Sequence, residues 1–176
     1  MGGTTGFGRL RPLLKKQQPA QLVRLIGELY RMSRENQRFL EARLGNASQL
    51  PEYRRLISQC LFPDVLKGEV RINEAKRAIK QYEQATQDLA GIVDLRLTFV
   101  ESGTAFTLDC GYGDDAFFNA LGHVLSRALA LLACDKNLRK AMRTRLMRLA
   151  DSASSLGWSY GNYVSDEISE MLRRDE

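Results

Sequence analysis

The sequence predicts an all-α fold, in a single domain of seven to nine short helices packed as antiparallel pairs around a central buried helix. Apolar residues recur every three or four positions along most of the chain, which is the spacing of one helix face. Residues that favour helix starts, such as Pro19, Ser33 and Asp114, stand where these segments begin. With 176 residues, 44% of them hydrophobic, the chain is also long enough to bury a core.

The first two predicted helices form a hairpin. Pro19 suits the first turn of a helix that runs to Met32, because its missing N–H is not needed there. Ser33 then caps a second helix, and Gly45 is expected to end it in the left-handed conformation. Because the two helices are adjacent in sequence, we expect them to pack as a helical hairpin.

A third and a fourth helix follow. Pro51 opens the third helix, and Pro63 stops it because proline disfavours the helical conformation in the residue before it. Asn73 is expected to cap the fourth helix, whose apolar stripe around Ile79 is thin. We therefore expect the fourth helix to be mostly exposed to solvent.

The segment from Ile92 to Val100 fits two patterns. Apolar and polar residues alternate along it, which is typical of a half-buried strand that Gly103 would turn into a hairpin. Plotted as a helix, the same segment places its apolar residues on one arc and Asp94 opposite them. We favour the helix because the surrounding segments are helical.

The second half of the chain contains the expected central helix. Asp114 caps a helix over Asp115–Cys134, and its apolar arc is wide enough for burial on several sides. Residues 138–156 form the most regular amphipathic helix of the chain, which Gly157 closes. A last helix follows the aromatic turn at residues 158–163.

Composition indicates the domain organisation and the cellular location of the protein. Residues 1–8 are expected to form a flexible tail and residues 9–176 a single helical domain. The three cysteines are odd in number and widely spaced, which argues against a disulfide framework and favours a cytoplasmic location. The longest apolar run is far shorter than the ~20 residues that a membrane-spanning helix needs, so we expect no membrane contact.

Positive charge is concentrated in the segment from Lys136 to Arg148. Its net charge of +6 exceeds the +5 of the whole chain. Such a run can contact the phosphates of nucleic acid or an acidic partner, or it can be a solvated helix face that acids on a neighbouring helix offset. The basic residues are Lys136, Arg139, Lys140, Arg143, Arg145 and Arg148.

Acidic residues form a second group of interest. If residues 92–101 are helical, Asp94, Thr98 and Glu101 share a face, where two carboxylates can serve acid/base chemistry or hold a metal. Asp114 and Asp115 stand at a predicted helix start, where acids are stabilising, so we expect a capping role there.

A polar strip runs along the otherwise apolar helix that contains the one histidine of the chain. The strip consists of Asp115, Asn119, His123 and Arg127. Because no nucleophile motif accompanies His123, we expect a structural histidine and no catalytic residue, metal or cofactor. An enzymatic alternative would require Asp94, Glu101, Asp114 and His123 to converge on one cleft.

The aromatic turn admits two interpretations. Trp158, Tyr160 and Tyr163 can anchor a partner, because tyrosine and tryptophan are enriched in interface hot spots. At a turn between helices, aromatic side chains also commonly plug the end of the core.

Three stretches resemble a family of uncharacterised bacterial proteins of similar length, a domain of unknown function. The first is PAQLVRLIGELYRMSRENQRFLEARL, and the second is VDLRLTFVESGTAFTLDCGYGDDAFFNAL. In the second, the matching positions are Thr107, Tyr112, Gly113, Asp114 and Phe117. The third stretch comprises Gly157, Trp158 and Tyr160. The resemblance implies a helical fold and attaches no reaction to the chain; the sequence departs from the family pattern at Cys110, Gly111 and Asp115.

These observations predict a non-enzymatic cytoplasmic interaction protein. It would present the basic helix and the aromatic turn to a protein partner. The alternative is a nucleic-acid-binding accessory protein that contacts phosphates through the Lys136–Arg148 segment. The sequence leaves the oligomeric state open.

Overall fold

The structure is a computed structural model that describes residues 6–45, 49–63, 68–111, 113–157 and 159–173. These residues form nine α-helices and no strand, which confirms the predicted all-α fold class for the described part of the chain. Contacts between backbone positions divide the chain into two compact units, Met1–Ala47 and Ser48–Glu176. The domain predicted over residues 9–176 thus comprises two such units.

The first unit contains α1 (Gly6–Leu14), α2 (Pro19–Met32) and α3 (Arg34–Leu44). The predicted hairpin of α2 and α3 is confirmed by their contacts. Ser33 caps α3, since its hydroxyl accepts a hydrogen bond from the backbone N–H of Asn36 at 3.1 Å. The side-chain amide of Asn36 donates to the Leu29 carbonyl of α2 at 2.7 Å. No side chain of these three helices is buried.

Two details of the first unit differ from the prediction. Residues 6–8, expected in a flexible tail, belong to α1, because Phe7, Leu10 and Leu14 recur at helical spacing; residues 1–5 lie outside the described residues. Gly45 ends α3 in an extended conformation and not in the left-handed one. A glycine is needed there because a Cβ would lie 2.3 Å from the Glu41 carbonyl oxygen.

The second unit contains six helices. They are α4 (Leu50–Leu61), α5 (Ile72–Ala85), α6 (Leu89–Cys110), α7 (Asp115–Cys134), α8 (Lys136–Ser154) and α9 (Ser159–Arg173). Asp114 caps α7 as predicted, and its carboxylate accepts from the backbone N–H of Phe117 at 2.7 Å. The predicted cap at Asn73 is wrong: Arg71, two residues earlier, holds the cap position, so α5 begins at Ile72, and the Arg71 side chain makes no capping hydrogen bond.

The helix α6 lies at the centre of the second unit. It contacts α4, α5, α7 and α8, whereas α7, the expected central helix, contacts α6, α8 and α9. All ten residues from 91 to 100 are buried. The predicted helix over 92–100 is confirmed, and the strand-like alternation is explained, because a helix buried on all sides has no apolar periodicity that distinguishes it from a strand.

Among the described helices, α7 is the one whose length and composition would let it cross a membrane. Half of its most apolar window is buried inside the protein. Its packing against three other helices accounts for that apolar composition, since a core helix passes the same test.

All three cysteines are free thiols. Cys60 is buried and Cys110 is half-buried. Cys134 is exposed. Cys134 is the last residue of α7, where the helix leaves the core.

Candidate functional site

The basic helix is less open to a partner than its sequence suggests. Arg139 is buried, with only 7% of its surface exposed. Its guanidinium donates to the carbonyl oxygens of Leu132 and Ala133, at 3.0 and 3.3 Å. These carbonyls belong to the last turn of α7, whose carbonyl groups lack partners within the helix. Arg139 therefore closes the end of α7 and is not available to a ligand, contrary to its prediction as a contact residue.

Arg145 is also turned inward, onto the acidic face of α6. Its Nε and Nη2 atoms each lie 2.7 Å from a carboxylate oxygen of Glu101. Nη1 donates to Asp94 Oδ1 at 2.5 Å, and Nη2 donates to the Thr98 hydroxyl at 2.8 Å. The second carboxylate oxygen of Asp94 accepts from Arg54 of α4 at 2.5 Å.

This network corrects the interpretation of the acidic residues. Asp94, Thr98 and Glu101 share a face of α6 as predicted, but arginines hold both carboxylates. Burial lowers the pKa of Arg145, but hydrogen bonding to Glu101 and the charges of Glu101 and Asp94 outweigh it and raise the pKa overall. The group links three helices, because Arg54 of α4 and Arg145 of α8 both bind carboxylates of α6. Within the described residues, no cluster of His, Cys, Asp or Glu can hold a metal ion.

Four cations of α8 remain at the surface. Lys136, Lys140 and Arg148 are exposed, and Arg143 is half-buried. None of them forms an ion pair with any described residue. The offset by acids on a neighbouring helix is thus present at Arg145, which pairs with Asp94 and Glu101 of α6.

The polar strip of α7 lies beside a cleft between α7 and α9, which we call the α7–α9 cleft. All four strip residues are exposed. The cleft has a volume of about 620 Å³ and brings part of the strip together with both described tyrosines of the aromatic turn. Its lining residues are Gly113, Asp115, Phe118, Asn119, Gly122, His123, Ser159, Tyr160 and Tyr163. Arg127 does not line it.

The floor of the cleft is aromatic. The rings of Phe118 and Tyr160 stack, with centroids 4.9 Å apart and planes inclined at 29°. The Tyr160 hydroxyl is hydrogen-bonded to the Thr104 hydroxyl of α6 at 3.0 Å. Burial raises the pKa of Tyr160 to about 12. Tyr160 is therefore a core residue that packs at the end of the helices, and its ring forms part of the floor of the cleft.

Tyr163 forms the rim of the cleft on α9. Its ring lies against the backbone of α7 at Gly122, where an added Cβ would be 3.2 Å from Tyr163 Cε1. Tyr163 is 39% exposed, and it lines the cleft. Trp158, the third residue of the predicted contact group, lies outside the described residues.

The four residues of the enzymatic alternative do not converge. Asp94 and Glu101 are bound by Arg145, and Asp114 caps α7. Only His123 lines the cleft. The enzymatic hypothesis, which required all four to share one cleft, is therefore dropped.

Four lining residues were not predicted as site residues from the sequence, namely Gly113, Phe118, Gly122 and Ser159. Phe118 belongs to the apolar residues of α7, but in the structure it is only partly buried and lines the cleft. Gly122 carried no signal of its own, because its role depends on the close approach of Tyr163 from another helix. Comparison of the chain with protein-family models, curated proteins and solved structures found no match. The resemblance to the bacterial family therefore stays a prediction.

Proposed function

We propose that the protein is a non-enzymatic cytoplasmic interaction protein that binds a segment of a protein partner in the α7–α9 cleft. One observation carries the proposal. Asp115, Asn119 and His123 of the polar strip, whose role the sequence left open, line the same cleft as Tyr163 of α9, a predicted partner contact. Binding sites combine an apolar lining with a few convergent polar groups, and the side chains of two helices provide both here.

The chemistry of the cleft favours a peptide segment. Its α7 wall offers a carboxylate, an amide and an imidazole from Asp115, Asn119 and His123, over the aromatic floor at Phe118. An apolar floor with a few polar groups around it is typical of binding sites. A tyrosine at the rim, such as Tyr163, is a frequent energetic anchor in interfaces.

The charge of the cleft limits the kinds of partner segment that it can bind. Asp115 contributes a negative charge, and no lysine or arginine lines the described cleft. A partner segment that carries a neutral or positive side chain is therefore complementary, because like charges across an interface are costly. A cationic side chain can also lie over the Tyr163 ring.

Photo-crosslinking in cells that express the protein tests the proposal. A benzophenone amino acid replaces Asn119, which is exposed in the cleft, and in a matched control it replaces Lys140, which is exposed on α8. We expect the Asn119 position to give a discrete adduct with one protein, identified by mass spectrometry. Adding Tyr163→Ala should abolish this adduct, since loss of an anchor weakens binding at least tenfold or so. An adduct that is unaffected by Tyr163→Ala, or no adduct from position 119, would reject the cleft as the binding site.

The nucleic-acid alternative is a second candidate function. It is favoured by the four exposed or half-exposed cations of α8, since no acidic residue interrupts the helix between positions 136 and 150. With four phosphate contacts, log Kd should change with log salt concentration with a slope of roughly 3 to 4. Gel-shift titrations with single-stranded and duplex probes at low and physiological salt test this, with Lys140→Gln expected to reduce the slope by about one. Absence of binding at low salt would exclude it.

A further inference from the structure

A second cleft lies on the other side of the polar strip, between α5 and α7, and we call it the α5–α7 cleft. Its volume is about 500 Å³. His123 lines both clefts, and Arg127, the strip residue that the first cleft leaves out, lines this one. Arg96 of the buried helix α6 reaches its base.

The α5–α7 cleft has an excess of positive charge. Lysines 76 and 80 of α5 line it together with Arg96 and Arg127, and Glu83 is its one acidic lining residue. Arg96 is held in place, because it donates to Glu83 at 2.8 Å and to the Arg127 carbonyl oxygen at 3.0 Å. Since Arg96 and Glu83 form an ion pair, the charges of Lys76, Lys80 and Arg127 are left over.

These three cations have no counter-ion within the described part of the chain. A concave surface with low-dielectric walls focuses the field of such charges and raises the local concentration of anions. The guanidinium of Arg127 and the two ammonium groups suit phosphate oxygens, which accept charge-assisted hydrogen bonds.

The cleft also has an apolar wall. Ile79 of α5 and Val124 of α7 are both buried and both line it. A bare inorganic ion would leave this wall without contacts. A ligand with a phosphorylated end and a flat or apolar end would use both parts, and the volume lies within the range of small-molecule sites.

We propose that the α5–α7 cleft binds a small phosphorylated molecule of nucleoside diphosphate size. Lys76, Lys80 and Arg127 bind its phosphate groups, and Ile79 and Val124 contact its other end. The site and its ligand class are separate from the protein partner proposed for the α7–α9 cleft. His123 lines both clefts, so a ligand bound in the α5–α7 cleft would lie next to the proposed partner site.

Isothermal titration calorimetry on the full chain tests the proposal, with three probes at about 50 mM salt, where phosphate contacts are strong. The probes are ADP, inorganic pyrophosphate and adenosine. We expect ADP to bind, pyrophosphate to bind more weakly because it leaves the apolar wall uncovered, and adenosine not to bind. Absence of ADP binding, or equal binding of adenosine and ADP, would overturn the proposal.

Charge-removing variants locate the site. Lys80→Gln and Arg127→Gln change exposed side chains, so both variants should fold, and each should weaken ADP binding by about tenfold or more. Lys140→Gln on α8 removes the same charge outside the cleft and should leave the affinity unchanged. If Lys140→Gln weakens binding as much as Lys80→Gln, the ligand follows the net charge and the proposed site is wrong.

The variants also separate this proposal from the proposed function. Arg127 lines the α5–α7 cleft and not the α7–α9 cleft, so Arg127→Gln should weaken ADP binding by about tenfold or more and leave the Asn119 crosslink intact. If Arg127→Gln weakens ADP binding and leaves the crosslink intact, the two sites are independent. If the parent protein binds ADP but gives no Asn119 crosslink, the proposed partner site is wrong and the ligand site is retained.

Discussion

At the residue scale, the six cations of α8 have different roles, and the local sequence pattern does not distinguish these roles. Arg139 satisfies carbonyl groups at the end of α7, and Arg145 binds both carboxylates on the face of α6. Lys136, Lys140 and Arg148 face solvent. All six lie within a short stretch, so what separates them is the neighbour that each side chain meets.

Replacing Arg145 should destabilise the protein far more than replacing Arg148. Arg145→Ala leaves Asp94 buried with only Arg54 as counter-ion, and the expected loss is about 3 kcal/mol of unfolding free energy. Arg148→Ala on the same helix removes an exposed charge and should change the free energy by less than about 0.5 kcal/mol. Urea unfolding of both variants provides the comparison. Equal effects would show that the network is not structural.

Tyr160 should make the fold sensitive to alkali. Its pKa is raised to about 12 in the folded protein, from the usual 10.0, so between these values the folded state holds the proton that the unfolded state has lost. The stabilisation is complete below pH 10 and is lost as the pH rises through 12. We expect unfolding free energies measured at several pH values across this range to fall less steeply for Tyr160→Phe than for the parent. Parallel curves would contradict the assignment.

At the scale of elements, two glycines allow neighbouring helices to pack closely, one against a buried side chain and the other against a partly exposed one. At Gly103 of α6, a Cβ would lie 2.5 Å from Leu121 of α7, which is fully buried. At Gly122 of α7, the Cβ would lie 3.2 Å from Tyr163, which is partly exposed and can move. The contact of Gly103 with Leu121 limits the distance between α6 and α7. The contact of Gly122 with Tyr163 lets α9 pack closely against α7 beside the cleft.

Alanine at these two positions should have opposite effects. Gly103→Ala forces a buried side chain to move and should destabilise the protein by about 1 kcal/mol or more, even after the gain in helix propensity. Gly122→Ala should be neutral or stabilising by up to about 1 kcal/mol, since Tyr163 can yield. Thermal or urea unfolding of the two variants measures the difference. A destabilising Gly122→Ala would show that the Tyr163 ring is fixed.

Elements with a clear pattern were predictable from the sequence, and contacts between elements were not. Ser33 and Asp114 were recognised as caps because capping uses only nearby backbone groups. The central position of α6 escaped recognition because burial on all sides removes the periodicity that marks a helix face. The polar strip was visible within α7, but the tyrosine opposite it comes from α9, and only tertiary packing joins them.

At the scale of the whole molecule, charge and burial are distributed unevenly between the two units. Residues 6–45 carry nine lysines and arginines against three glutamates, a net charge of +6 that equals the charge of the Lys136–Arg148 segment. The positive charge of the chain therefore has two sources, and not the single helix that the sequence suggested. The same unit holds ten of the fifteen exposed large apolar side chains found among the described residues.

Hydrogen exchange should differ sharply between the two units. Because α1, α2 and α3 bury no side chain, their amides should exchange through local opening at low free energy. Amides of α6, whose residues 91–100 are all buried, should exchange only through global unfolding. Mass-spectrometric exchange on the full chain measures both helices in one experiment. Equal protection of α2 and α6 would contradict this difference.

The affinity for the crosslinked partner tests the central claim most directly. It should be measured for the parent, His123→Ala and Lys140→Gln, at about 50 and 300 mM salt, concentrations between which phosphate-dominated binding changes strongly. We predict that His123→Ala weakens binding about tenfold or more, while Lys140→Gln and the added salt change it little. Binding that is insensitive to His123→Ala and falls steeply with salt and with Lys140→Gln would contradict the account and assign the partner to the basic helix.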